Sequence, residues 1–241
     1  MEQKIKILDF QVEILSMDYL SERIEEYCKG EQMESVLFLS VRIMEAAMDF
    51  PEYRRKIGEF QMLLPGEEEI LFPERLKLSD KSDITFQEDC LYGLLRFMEK
   101  KQKSLYLVGD ELEKTEMFLH YCEEQFPKLQ LTGVFIIDEN MDDEKVLNDI
   151  NTNCPDVILT AIAPQLQENW ITENGDKLNA RVCMGADVLV QRTVERYLLC
   201  LEKEMHTKIY HYMQNIKNKF LKKIQKRIFY KEYEQYMKQK D

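Results

Sequence analysis

The chain has 241 residues, 44% of them hydrophobic and 32% charged, an ordinary globular composition with length for one large domain or one domain plus an appendage. Its net charge of −12 is unevenly placed: residues 205–241 hold ten Lys/Arg against three acids and carry +7, leaving −19 on the remainder. The acidic body argues against general nucleic-acid binding, and no segment approaches the roughly 20 apolar residues of a membrane span.

In chain order, Lys4 to Leu8 reads as a short alternating strand with charges inside it, unlike an apolar leader, so a cytoplasmic protein is expected. Apolar residues at 17, 20, 24 and 27 give the helical repeat from Met17 to Cys28. Ser35 to Ser40 is a compact strand, a helix starts over Ile43 to Met48, and Pro51 opens a second short helix through Ile57. Gln61 to Gly66 is a strand ending in a turn, and the charged, aperiodic stretch Glu67 to Asp83 reads as a loop. Helix Glu88 to Lys100, strand Ser104 to Val108, helix Glu113 to Gln125 and strand Leu129 to Phe135 follow. Beyond an acidic loop come helix Asp143 to Asn151, strand Val157 to Ala163, helix Leu166 to Asn174 and strand Arg181 to Met184. Alternating apolar strands and helices predict an α/β fold, a Rossmann-like, mostly parallel sheet with helices on both faces.

The last predicted helix starts near Met205 and reaches Arg227 or beyond. Its apolar positions 209, 213, 216, 220 and 224 form one stripe, flanked by Lys208, Lys217, Lys219, Lys222, Lys223, Lys226 and Arg227. Such a basic amphipathic helix suits an anionic membrane surface; packing of the stripe on the body or on a partner is the other reading. The domain reading is therefore 1–204 for the Rossmann-like body and 205–241 for the appendage.

Several chemistries find no support. The cysteines at 28, 90, 122, 154, 183 and 200 form no Cys-x-x-Cys, and the three histidines have no ligand-spaced partner, so neither a metal nor disulfides are expected. A dinucleotide cofactor is disfavoured because the turn after Val108 is Gly109-Asp110-Glu111, with one glycine and acids that repel a pyrophosphate. No cofactor is expected. The junction from Pro155 to Ile171 is where a site is most easily placed, since ligands of open α/β sheets bind beyond the carboxyl ends of strands. There Gln167 and Glu168 read either as ligand-facing groups or as caps of the helix that follows. Trp170 reads as a packing residue.

The order of these segments resembles the WecG/TagA/CpsF family of bacterial glycosyltransferases. The resemblance rests on the opening Ile5-Lys-Ile-Leu-Asp strand, the stretch Ser40-Val-Arg-Ile-Met-Glu-Ala-Ala-Met-Asp-Phe-Pro-Glu-Tyr53, and Leu63-Leu-Pro-Gly66. Leu105 to Gly109, Gln125 to Gly133, Cys154-Pro-Asp156 through Gln167-Glu-Asn-Trp-Ile171, and Cys183-Met-Gly185 continue it. It implies transfer of an N-acetylhexosamine from a UDP-sugar donor to a lipid-diphosphate-linked sugar acceptor at the inner membrane face, without a metal, in surface-polysaccharide assembly. It also implies substrate contacts at Ser40, Asp89, Gly109, Gln167, Glu168 and Gly185. For the tail it implies membrane or acceptor-diphosphate contacts by Lys217, Lys219, Lys222, Lys223, Lys226 and Arg227.

The departures bear on activity. Where the family carries Pro-Asp-Gly with an aspartate base, this chain has Pro65-Gly66-Glu67, leaving Glu67, or its neighbours Glu68 and Glu69, to reach back as the substitute base. The lysine before the Gln-Glu pair is Leu166, and the family's Arg-x-x-Gly-x-Asp keeps only Asp89, with Ile84 and Gln87 at the other places. Two expectations follow: an active hexosaminyltransferase, or a noncatalytic member acting as a membrane-associated partner of an active glycosyltransferase. A homo-oligomer is compatible with either.

Overall fold

A computed structural model describes residues 2–71, 90–137 and 143–205. Eight strands form one sheet: β1 (Glu2–Ile7), β2 (Phe10–Leu15), β3 (Glu34–Leu39), β4 (Met62–Pro65), β5 (Ser104–Gly109), β6 (Gln130–Ile136), β7 (Val157–Ala161) and β8 (Val182–Gly185), in spatial order β1-β2-β4-β3-β8-β7-β5-β6. Strands β2 to β8 run parallel, and only β1 is antiparallel, folded back on β2. The helices are α1 (Met17–Tyr27), α2 (Val41–Asp49), α3 (Pro51–Ile57), α4 (Cys90–Lys101), α5 (Leu112–Gln125), α6 (Asp143–Asn153), α7 (Leu166–Asn174) and α8 (Asp187–Met205), with 3-10 turns at Glu68–Leu71 and Gly175–Lys177.

Side-chain alternation along the strands builds two cores. Leu37, Leu39, Leu63, Tyr106, Val108 and Ile158 point to one face, where they meet Ile43 and Met44 of α2, Tyr53 and Ile57 of α3, Val146 and Ile150 of α6, and Trp170 and Ile171 of α7. Val36, Phe38, Leu64, Leu107, Leu159 and Met184 point to the other, against Leu20 and Ile24 of α1, Leu94 of α4, Phe118 and Cys122 of α5, and Leu189 and Val194 of α8. Helices on both faces of a mostly parallel sheet are the arrangement expected from the alternating apolar pattern.

Two elements were not foreseen. The single expected opening strand is a hairpin, whose two-residue turn places Leu8 at φ 54. Hairpin turns of this length are usually flagged by Asn-Gly or Asp-Gly, and Leu8-Asp9 carries neither. Helix α8 follows the last strand at once, with Leu189, Val190, Val194 and Tyr197 turned inward at helical spacing. Strand β7 leaves the ladder at Ala161, two residues before the expected end. Asp89 and the tail residues Lys217, Lys219, Lys222, Lys223, Lys226 and Arg227 lie outside the described residues, as do Ile84, Gln87 and the expected tail helix.

Candidate functional site at the carboxyl edge of the sheet

Because the strands are parallel, their exits collect at one edge. Strands β3 and β7 leave toward the face of α2 and α7, whereas β5 and β8 leave toward the face of α5 and α8. Connections that part in this way mark the edge above β8, β7 and β5 as the candidate ligand crevice, the usual position in such sheets.

Ser40 and Glu67 meet at one helix start. The Ser40 hydroxyl accepts from the Ile43 amide at 3.2 Å, and Glu67 Oε2 accepts from the Val41 amide at 2.6 Å. The first amides of a helix have no partner within it, so two side chains 26 or more residues apart in sequence converge on α2. Gly66, one residue earlier, is enclosed. Its amide donates to the Leu39 carbonyl at 2.8 Å and its carbonyl accepts from Arg192 Nη2 at 2.6 Å. A Cβ there would stand 2.7 Å from the Leu39 oxygen and 2.7 Å from Val188 Cγ1.

Gln167 and Glu168 are wholly inside the protein, at 1% and 0% exposure. Glu168 Oε2 accepts from the Tyr53 hydroxyl and from the Gln165 amide, both at 2.6 Å, and its Oε1 accepts from Gln167 Nε2 at 3.0 Å. The bond to Gln165 caps α7 from its third residue back to its start, where Gln165 is held at φ 73. Gln167 Oε1 in turn accepts from the Asp187 amide at 3.3 Å and lies 2.9 Å from Thr160 Oγ1. Of the two readings of the pair, the cap is what the geometry shows for Glu168, which caps α7; Gln167 accepts instead from the first amide of α8, and both side chains are enclosed. Burial pushes the Glu168 carboxyl above its ordinary range, more than its three donors pull it down, and burial beside Glu168 raises the Tyr53 phenol.

The glycines are fixed by neighbours. A Cβ at Gly185 would stand 2.7 Å from Leu37 Cδ1 and 3.0 Å from Gln167 Nε2, and one at Gly109 would stand 2.2 Å from Thr115 Oγ1. At both positions a neighbouring side chain fills the space a Cβ would need.

The floor of the crevice is an ion cluster. Lys114 Nζ lies 2.8 Å from Asp187 Oδ1 and 3.0 Å from Asp110 Oδ1, and Asp110 Oδ2 accepts from the Ala163 amide at 2.6 Å. Burial opposes the charge on Lys114, but the two carboxylates outweigh it and hold the ammonium above its usual value. Asp187 is pushed up by burial, which exceeds the pull of Lys114 because Asp110 and Glu111 add repulsion. The directions agree physically, since one cation serves several acids. Tyr53, Lys114, Asp187 and Arg192 were not singled out beforehand. Only the Asp110 to Lys114 spacing of four on a helix start was a visible signal. Among the described residues no group of three His, Cys, Asp or Glu side chains is placed to hold a metal ion.

A model of the glycosyl transferase WecG/TagA/CpsF family matches residues 5–192. The chain belongs to this family. No curated protein matches it. The WecG/TagA/CpsF match runs from β1 into α8 and takes in Ser40, Glu67, Gln167, Glu168 and Gly185, together with Tyr53, Lys114, Asp187 and Arg192. It stops before the basic tail.

Proposed function

We propose that this WecG/TagA/CpsF protein transfers an N-acetylhexosamine from a UDP-sugar to a lipid-linked sugar acceptor during bacterial surface-polysaccharide assembly, docked on the inner face of the membrane. The observation that carries the reading is the Glu67 carboxylate, held by the Val41 amide at 2.6 Å beside Ser40 at the carboxyl edge. Transfer with inversion requires a base within reach of the attacking hydroxyl. In this reading the acceptor oxygen bonds to the anomeric carbon, the bond from that carbon to the diphosphate breaks with its electron pair on UDP, and the hydroxyl proton passes to Glu67. Gln167 and Glu168 support the donor side from beneath. Asp89 completes the donor site, and the basic side chains from Lys217 to Arg227 hold the membrane or the acceptor diphosphate, as the resemblance implies.

A second reading, a noncatalytic partner of an active glycosyltransferase, is favoured by Gly66. The position where the family places its aspartate base is packed between the Leu39 carbonyl and Val188, and the cluster around Lys114 holds more negative than positive charge. UDP release from UDP-N-acetylhexosamines in the presence of a lipid-diphosphate acceptor decides between them. Turnover by the wild type that falls at least about a hundredfold in Glu67→Gln, a usual contribution of a general base, supports the transferase and its base. Equal turnover removes Glu67 from that role. Absence of both turnover and UDP binding in the wild type selects the noncatalytic reading.

A further inference from the structure

The polar groups around α7 form a chain whose donors converge on Glu168 from both sides. Tyr53 on α3 donates to Glu168 on α7, Gln167 on α7 donates to Glu168, and Gln167 accepts from the amide of Asp187, the first residue of α8. Partners fix which way the Gln167 amide faces, because a carboxylate on one side requires the NH2 group and a backbone N–H on the other requires the oxygen. Gly185 leaves the space in which that amide lies. Asp187 then presents its carboxylate to Lys114 at 2.8 Å. Two elements on opposite faces of the sheet, α3 and α8, are linked through a single buried carboxylate.

We propose that Tyr53 and Glu168 are positioning residues, which through the Gln167 amide set where the first turn of α8, carrying Asp187 and its partner Lys114, stands in the crevice. The proposal rests on the reading of that crevice as the UDP-sugar site. Its physical content is that three donors converge on the two oxygens of Glu168, a pattern that a side chain with one oxygen and one NH2 does not reproduce. A glutamine at 168 must turn its NH2 either toward the Gln165 amide, donor against donor, or toward Gln167. The second choice flips Gln167 and puts its NH2 against the Asp187 amide. Phenylalanine at 53 removes one donor and leaves the buried carboxylate less well held. A purely local capping role predicts loosening of α7 alone. The proposed role predicts loosening of α8 as well, on the other face.

The test uses the full chain with Tyr53→Phe, Glu168→Gln and, as control, Glu173→Gln, which removes the charge of an exposed α7 side chain bonded to Lys56 at 2.6 Å without touching Glu168. Amide hydrogen exchange at Asp187 and UDP titration calorimetry are measured side by side. Expected are exchange at Asp187 faster by about tenfold and UDP affinity weaker by about tenfold in Tyr53→Phe and Glu168→Gln, the effect of losing one such hydrogen bond, with neither changed in Glu173→Gln. Tyr53→Phe carries the test by itself if Glu168→Gln fails to fold. Exchange that rises only within α7 overturns the proposal whatever UDP does. Faster exchange at Asp187 with unchanged UDP affinity overturns it too, because α8 then moves without consequence for the ligand. If the wild type does not bind UDP, the donor reading fails, and the exchange data alone uphold or overturn the link from Tyr53 to α8.

Discussion

Glu168 is buried completely and held by a phenol, a backbone amide and a side-chain amide. Desolvation disfavours its charge, and the donors offset only part of that cost. The consequence for stability follows from linkage. The folded-state value lies above the ordinary glutamate value of 4.5, so the native state holds this proton more tightly than the unfolded chain does. The contribution of Glu168 is present in full below about pH 4.5 and is lost as pH rises through the raised folded value. Glu168→Gln has no such proton. Urea unfolding of wild type and variant between pH 4 and pH 8 is expected to show the wild type losing stability relative to the variant as pH rises, any hydrogen-bond defect of the variant adding a constant offset. A flat difference would mean that Glu168 ionises in the native protein as easily as in water. The strand, turn and helix around Gln167 and Glu168 were legible from the chain, since apolar and polar runs mark that junction directly. Tyr53 was not legible as their partner, because a contact across 115 residues leaves no mark on local periodicity.

Between elements, the exits of β4, β3 and β8 compete for the same space. Gly66 ends β4 in contact with the Leu39 carbonyl of β3, the Val188 side chain of α8 and the guanidinium of Arg192. Backbone cannot yield as a flexible side chain can, so a Cβ 2.7 Å from the Leu39 oxygen forces β4 away from β3, while the same Cβ presses Val188 of α8. Gly66→Asp, which writes the family's aspartate back into the chain, is therefore expected to lower stability by about 1–3 kcal/mol and to leave UDP release no faster than in the wild type. A gain in turnover would show that the crevice accepts a base at 66 after all. The same packing accounts for what pattern reading omitted here. Helix α8 carries the usual spacing of inward residues, yet it starts two residues after β8 with no Ser, Thr or Asn cap and no Pro. Its start is marked instead by Gln167, a cap supplied from another element. Hairpin β1 and β2 was hidden for a related reason, its turn lacking the residues that usually announce one.

At the scale of the molecule, α5 and α8 leave the same edge and run side by side. Lys114 meets Asp187 near both starts, and the Tyr197 hydroxyl meets Glu124 and His120 further along, each at 2.6 Å. A helix of 19 residues spans about 28 Å, longer than the strands it packs against. No described helix is long and apolar enough to cross a membrane, and attachment to one is proposed to come from the +7 charge of the appendage, at about 1 kcal/mol for each basic residue near an anionic surface. Membrane docking and the crevice are then separable. Truncation after Met205 is expected to abolish co-sedimentation with anionic vesicles at low salt, while neutral vesicles pellet neither form and UDP titration gives the same affinity for both. Equal pelleting of full-length and truncated protein places the membrane contact on the body instead. Loss of UDP affinity on truncation would mean that the appendage completes the donor site, tying the two halves of the sequence into one functional unit.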